Sequence, residues 1–415
     1  MRRLLLLIPA TSYRTGDFLA AARRLGVEVV VGSDRPSVLE AFSSGRTLAL
    51  DFAPIEDGIS RIIAHARHYP ISAILGCDEG TTVLAAAAAK ALGLPHNSTE
   101  SVAAAHDKYL FRRALERAGI PSPWFRLISL RQDLAGAAAA ANYPCVLKPR
   151  GLSGSRGVIR CDDEASFVAA CDRITAILRG TAGLAYDHAD AVLAEGFIAG
   201  REVALEGLLD GGRLQTLAMF DKPDPLDGPY FEETIYVTPS RLSDSLQAAV
   251  VDETAGAAAA LGLRDGPIHA ELRLNNRGAW LIELAARSIG GLCSRALGFT
   301  HGAGLEELIL RHALGLPTDR FERETPASGV MMIPIPRAGR LQAVSGLDAA
   351  RAIPSVDDVV ISIRPGEQLV PLPEGDRYLG FIFARADDPA EVEAALRRAH
   401  QRIRFDIAPA TAPLD

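Results

Sequence analysis

Cysteine is scarce in this chain. Five occur in 415 residues, Cys77, Cys145, Cys161, Cys171 and Cys293. They are scattered, odd in number, and form no CxxC and no Cys/His pair at ligand spacing. This excludes a disulfide-stapled scaffold and a thiolate zinc site. It reads as reduced thiols, mostly small core residues, in a reducing, cytoplasmic setting. Long apolar runs are also missing. None approaches the roughly 20 residues that span a bilayer, and the alanine runs at 85–89 and 137–141 sit inside amphipathic helices. The opening MRRLLLLIPA meets a polar loop at once and has no cleavage context, so it reads as a buried first strand, with no membrane role. Positive charge is in deficit: 44 Lys and Arg against 51 Asp and Glu, net −7. A nucleic-acid backbone binder would carry a basic field, so nucleic acid is excluded as partner. A phosphate held by a few local cations is not. No GxGxxG follows the first strand, which removes the usual nicotinamide site.

What remains is an ordinary globular composition, 48% apolar and 23% charged, in a chain long enough for two to four domains at roughly 100–200 residues each. Residues 1–100 alternate strand and helix, the rhythm of a parallel doubly wound α/β sheet. Loops at the carboxyl ends of such strands hold ligands. Thr11 to Arg14 and Asp78-Glu79 sit at two of them, either touching a ligand or capping helices. The spacing predicts one helix over 101–118 and a strand ending Val146-Leu147-Lys148-Pro149. The loop Arg150–Gly157 follows, with Gly151, Ser153, Gly154, Ser155 and Gly157, and then a further strand. Glycines let backbone N–H groups approach phosphate oxygens, and Lys148 adds a point charge. The lysine precedes the loop, so this is no Walker A motif; taken alone, a Gly/Ser turn is equally ordinary. From 191 the chain reads strand, connector Gly196-Phe197-Ile198, strand, with Glu195 before the connector and Glu202 after it. Such a connector could clasp a purine and its ribose. Residues 328–415 read as a separate strand-rich unit.

The most informative stretch is Gly266 to Gly291. Two alternating runs flank Asn275-Asn276-Arg277-Gly278, which reads as a hairpin. With Asn276-Arg277-Gly278 as a three-residue loop, Glu271 and Glu283 fall opposite each other. Opposed residues have Cβ atoms about 4.5–5.5 Å apart, and like charges there repel. Two facing carboxylates invite a divalent cation, and Arg287 beyond them suits phosphoryl oxygens. A surface hairpin with solvated glutamates is the plain alternative.

Taken in order, these motifs resemble the ATP-grasp superfamily, and within it the L-amino acid ligases, or dipeptide synthetases. The match covers nearly the whole chain. It implies an ATP-grasp fold of mixed α/β and α+β class. A Rossmann-like N-terminal domain (1–100) is followed by a lid (101–190), a central domain (191–327) and a strand-rich C-terminal lobe (328–415). It implies that Lys108 and Lys148 contact ATP phosphates under the loop Gly151–Gly157. Glu195, Phe197 and Ile198 would hold adenine, and Glu202 the ribose. Glu271 and Glu283 would bind Mg²⁺, one or two ions, with Mn²⁺ as a substitute. Arg287, with Lys148 and Glu283, would carry catalysis. Glu233 would hold the amino group of a first amino acid, with Tyr236, Gly290 and Gly291 in the same pocket, and His269 would reach phosphate or substrate. Ala285 departs from the pattern, since many members carry a metal-binding Asn there.

The implied reaction is ATP-dependent carboxylate–amine ligation through an acyl phosphate, on an amino acid and an amine acceptor, with a homodimer by family analogy. A carboxylase-like or purine-pathway ATP-grasp enzyme is the nearest alternative, and a non-catalytic ATP-binding protein the next.

Overall fold

The computed structural model describes residues 2–35, 45–181 and 186–409. The chain begins with strands β1 (Arg3–Leu7), β2 (Glu28–Ser33), β3 (Thr47–Ala49) and β4 (Ala73–Gly76), all parallel in the order β3-β2-β1-β4. Leu4, Leu5, Leu6 and Leu7 have no exposure. A strand covered on both faces is written as an unbroken apolar run, and this is why β1 resembles a leader in sequence.

The single helix expected over 101–118 is two helices, Thr99–His106 and Lys108–Ala118. Asp107 separates them with an extended backbone, and its carboxylate caps the second helix by accepting from the Tyr109 and Leu110 N–H groups. An Asp that bonds its own following backbone competes with helix continuation. The same carboxylate pairs with Arg150 and His188, so the break ties this helix to the glycine loop.

Strands β5 (Phe125–Ser129), β6 (Cys145–Pro149), β7 (Ile159–Cys161) and β8 (Ala191–Gly196) form an antiparallel sheet in the order β5-β8-β6-β7. This sheet thus runs through Gly196, past the expected boundary at 190. Its core is closed by a helix, Glu164–Arg179, to which sequence reasoning assigned nothing. The signal was present: Asp163 and Ser166 make a reciprocal capping box, and Phe167, Ala170, Cys171 and Ile174 repeat on one face.

The centre is an eight-stranded sheet. β9 (Arg201–Asp210), β10 (Arg213–Lys222), β11 (Ile235–Thr238), β12 (Gly266–Asn275) and β13 (Gly278–Ala285) run in the order β13-β12-β9-β10-β11, then continue into Ala327–Ile333, Gly380–Ala386 and Val356–Ile361. Residues 328–415 thus lend three strands to the central sheet, and they also form a three-stranded sheet of their own from Gly339–Ser345, Gln368–Leu369 and Arg404–Ala408. Alternation divides β9 between two environments. Val203 and Leu205 pack with Val250, Ala257 and Leu261 of the helix Asp244–Leu261, while Glu202, Ala204 and Glu206 face the other way.

The hairpin forms with a different turn from the one expected. Asn275 pairs with Gly278, so only Asn276 and Arg277 lie in the loop. That register would set Glu271 against Ile282. A bulge between Glu271 and Leu272 shifts it by one residue, and Glu271 faces Glu283 after all.

Arg112, with no exposure, joins three units. It donates to both oxygens of Glu195 on β8, at 2.6 and 3.1 Å, and to the Leu281 carbonyl on β13 at 2.7 Å. Breaking a buried pair by deleting one partner costs about 3–5 kcal/mol. We expect Arg112→Met to lose stability on that scale in urea unfolding. A loss below about 1 kcal/mol would remove the pair from any structural role.

Candidate active site

The register of β9, β10, β12 and β13 lays the charged side chains in rows. Lys222, Glu202 and Arg273 are cross-strand neighbours in the first row, Ala204, Glu271 and Glu283 in the second, and Glu206, His269 and Ala285 in the third. These rows floor a cleft of about 1150 Å³. It is lined by Val146, Phe197, Ile198, Leu226 and Phe231, by the loops of 9–13, 78–80 and 287–291, and by the segment 362–378. A second cavity, of about 690 Å³, lies between the N-terminal and central units and contains none of these charged rows.

Lys222, which sequence reasoning passed over, is the centre of the first two rows. Its ammonium donates to Glu202 at 2.8 Å, to Glu271 at 2.9 Å and to Glu233. It lies 5.0 Å from the ring centre of Tyr236, whose hydroxyl donates to Glu233 at 2.8 Å. Burial alone would lower its pKa, but the three carboxylates raise it well above the ordinary value. Burial and the Glu271 charge push Glu233 up to about 7, against the pull of Lys222. The strand pattern gave a hint of Lys222, since it shares a face with Phe220 and Ala218. Nothing in sequence gave the three acids that meet on it.

The structure brings most of the expected residues to this cleft, several already engaged. Both oxygens of Glu195 are taken, by Arg112 and by Lys148 at 2.7 Å. Burial raises its carboxyl, yet those two cations bring it to about 2. Glu195 still lines the cleft, beside Gly196, Phe197 and Ile198. Glu202 likewise accepts from Lys222 and Arg273. His269 has both ring nitrogens committed, Nδ1 to Glu206 and Nε2 to Glu271 at 3.3 Å. Burial would lower its pKa, and the Glu206 and Glu271 carboxylates raise it to about 9. His269 thus fixes Glu271, and it also lines the cleft. Glu206, fully buried, also accepts the Ile289 N–H at 3.1 Å and so sets the turn before Gly290 and Gly291.

Lys108 donates to the Leu152 carbonyl at 2.7 Å and stands 3.6 Å from Glu283. The glycine loop has Gly154, Ser155 and Gly157 at positive φ, of 63°, 54° and 72°, which tightens the turn. Its tip leans on the C-terminal lobe: the Gly157 N–H donates to the Pro373 carbonyl at 2.8 Å. Arg287 pairs with Glu79 at 2.7 Å, while Asp78 caps the turn Glu79–Thr81 through a reciprocal box with Thr81. Of the two acids at that strand end, one therefore caps and the other holds the arginine.

A cation suits the pair Glu271 and Glu283 on donor chemistry. Lys222, Tyr236 and His269 all bond to Oε1 of Glu271, and none of them to Oε2. Hard carboxylate oxygens are the ligands Mg²⁺ takes. Ala285, across from His269 in the third row, adds no further ligand.

Comparison with known proteins agrees with this layout. Residues 141–296 match the model of the ATP-grasp domain, 19–96 that of the ATP-grasp N-terminal domain, and 331–408 that of L-amino acid ligase C-terminal domain 2. Dapdiamide A synthase of Enterobacter agglomerans is 30% identical over 369 residues, 85% of this chain and 84% of that one. Alanine–anticapsin ligase of Bacillus subtilis is 27% identical over 62% of this chain and 57% of its own length. The crystal structure of L-amino acid ligase from Bacillus licheniformis superposes with a TM-score of 0.81 at 26% identity, over 98% of this chain and 99% of that one. The chain belongs to the ATP-grasp ligases and stands among the L-amino acid ligases. Among the described residues no helix is long and apolar enough to cross a membrane.

The Arg287–Glu79 pair carries a pH dependence. Burial raises the Glu79 carboxyl, but Arg287 and the His106 hydrogen bond pull it to about 2, against an ordinary value of 4.5. A depressed carboxyl contributes stability above its unfolded pKa, which is lost as pH falls toward the folded one. We expect the stability lost between about pH 5 and about pH 3 to be smaller in Glu79→Gln than in the wild type, by urea unfolding. Equal losses would mean that Glu79 is not held this way.

Proposed function

We propose that this enzyme joins an amino acid carboxylate to an amine at the expense of ATP, releasing ADP and phosphate through an acyl phosphate. One observation carries the reading. The facing carboxylates Glu271 and Glu283 lie in the same cleft as the Lys148 loop and Arg287, and Glu233 stands beside them. Lys108, Lys148 and the N–H groups of the Gly/Ser loop suit ATP phosphates, and the backbone of 196–198 suits the base. The fit of Glu202 to a ribose requires sharing it with Lys222. Bound by Glu271 and Glu283, Mg²⁺ would neutralise the phosphoryl oxygens as charge moves between them.

A carboxylate is a poor electrophile, and phosphorylation turns one of its oxygens into a leaving group. The chain's part is positioning and charge. Arg287, aimed by Glu79, stabilises the transferred phosphoryl group and then the oxyanion of the tetrahedral intermediate. Glu233, with Tyr236, receives the ammonium of the amino acid donor. The Gly/Ser loop, braced on Pro373, keeps water from the acyl phosphate. Glu233 also argues against bicarbonate or a phosphorylated ribotide as substrate, since an acid in the pocket repels anions.

The test is ADP release, with mass spectrometry of products, on ATP, Mg²⁺ and pooled amino acids. Amino-acid-dependent ADP with a new amide product is expected, and its absence under every pairing overturns the ligase reading. Glu283→Gln should lower turnover by about 10²–10³-fold with an unchanged thermal midpoint, and full activity would refute its role. For Glu233→Ala we expect the donor KM to rise with ATP binding retained. Unchanged donor kinetics would take Glu233 out of the pocket.

A further inference from the structure

One wall of the cleft has no role in this account. It is built by 362–378 of the C-terminal lobe and faces the loop that ends at Tyr13. Arg364 and Arg377 both line it. A single carboxylate organises them. Glu367 accepts the Arg364 backbone N–H at 2.9 Å, closing the Pro365-Gly366 turn, and accepts from the Arg377 guanidinium at 3.0 Å. The Arg364 guanidinium itself has no hydrogen-bond or ion-pair partner among the described residues. The cations nearer the phosphate end are differently placed: Lys148 is bound to Glu195, Arg273 to Glu202 and Arg287 to Glu79. Arg35 lines the cleft as well, as do Glu367 and Asp376. Asp376 belongs to the lid side, where it comes within 3.9 Å of a Cβ built on Gly154.

An aromatic wall connects this basic corner to the reacting end. Tyr378, next in the chain to Arg377, is half-buried and feels the Glu233 charge. Its ring packs against Phe381 at 5.9 Å, and Phe381 packs edge-on against Tyr13 at 5.4 Å. A Cβ on Gly291 would stand 3.0 Å from the Phe381 ring, so the wall begins beside the Arg287 loop. A donor carboxylate must lie at Arg287 to meet the phosphoryl group. A second substrate with its own carboxylate therefore needs a second cationic site, at the far end of a short apolar path. Guanidinium forks match carboxylates in geometry and charge.

On the ligase reading of this cleft, we infer that Arg364 and Arg377 bind the carboxylate of the amine substrate. The acceptor is then an amino acid, or another amine with a free carboxylate nearby, rather than a simple amine. Held so, its nitrogen bonds to the acyl carbon, the carbon–oxygen bond to phosphate breaks, and the proton displaced from nitrogen leaves with the phosphate.

The test uses a donor–acceptor pair found productive in the pooled screen, and compares the acceptor with its carboxamide. The wild type should prefer the free acid by about tenfold or more in kcat/KM. In Arg364→Gln and in Arg377→Gln that preference should shrink toward one, through a raised KM for the acid. Arg377→Gln also removes a hydrogen bond to Glu367, whereas the Arg364 guanidinium reaches Glu367 only through its charge, so Arg364→Gln is the decisive variant. A wild type indifferent to the carboxamide, or an Arg364→Gln enzyme that keeps the full preference, overturns the inference. Hydroxamate formation from donor, ATP and hydroxylamine needs no acceptor carboxylate. Its presence in the wild type separates failure of this inference from failure of the ligase reading, and its absence overturns both.

Discussion

A buried charge is tolerated only when its counter-charge is buried with it, and this cleft depends on that rule throughout. Glu195, Glu202, Glu206 and Glu79 are all withdrawn from solvent, and each is matched: by Arg112 and Lys148, by Lys222 and Arg273, by His269, and by Arg287. The partners come from different parts of the chain. Arg112 lies on the helix Lys108–Ala118, Glu195 on β8, Glu79 in the N-terminal unit and Arg287 beyond the hairpin. Forming the pairs therefore assembles the units around the cleft, and the cleft is where they meet.

The same pairing divides labour among the acids. Glu195 and Glu206 are locked by two or more donors each and serve as struts, one for Lys148 and one for the turn before Gly290. Glu271 is different. Its three donors converge on one oxygen, which fixes the carboxylate without saturating it. Among the described residues Glu283 pairs with the ammonium of Lys108 at 3.6 Å and feels the Arg287 charge. A metal-binding pair has to be held in place and still be open to an ion, and the hairpin bulge supplies the first condition by facing the two residues.

Lys222 shows how far tertiary context departs from sequence. It follows an apolar strand and precedes Pro223, where a solvated lysine would be unremarkable. Sheet register puts it beside Glu202, and the approach of β11 and β12 adds Glu233 and Glu271. Three carboxylates within 4.8 Å of one another would repel strongly without it. The C-terminal lobe matters in the same way. By continuing the central sheet it brings Arg364, Arg377 and Tyr378 into a cleft that the rest of the chain would otherwise leave open on one side.

Local chemistry alone determined much of this protein. Alternation and turn residues gave the N-terminal parallel sheet, the Lys148 strand with its glycine loop, and the hairpin with Glu271 opposite Glu283, because these are short-range patterns of period two or 3.6. The opposition of the two glutamates was anticipated, but through the wrong loop; a bulge, which has no reliable local signature, restores it. The helix break at Asp107, the lid helix at 164–179 and the shared sheet of 328–415 were not drawn from the sequence. The first two had capping signals that could have been read. The third follows from strand order, which no local pattern encodes. Partner identity likewise belonged to the tertiary structure. Which glutamate receives Lys222, Arg112 or Arg287 depends on residues tens to hundreds of positions away, brought together only when the sheets close. The sequence could say that carboxylates, lysines and glycines of the right kind were present in the right order. Only the fold decided which of them remain open to a ligand and which are spent on one another, because that choice is made by burial, and burial is a property of the assembled structure.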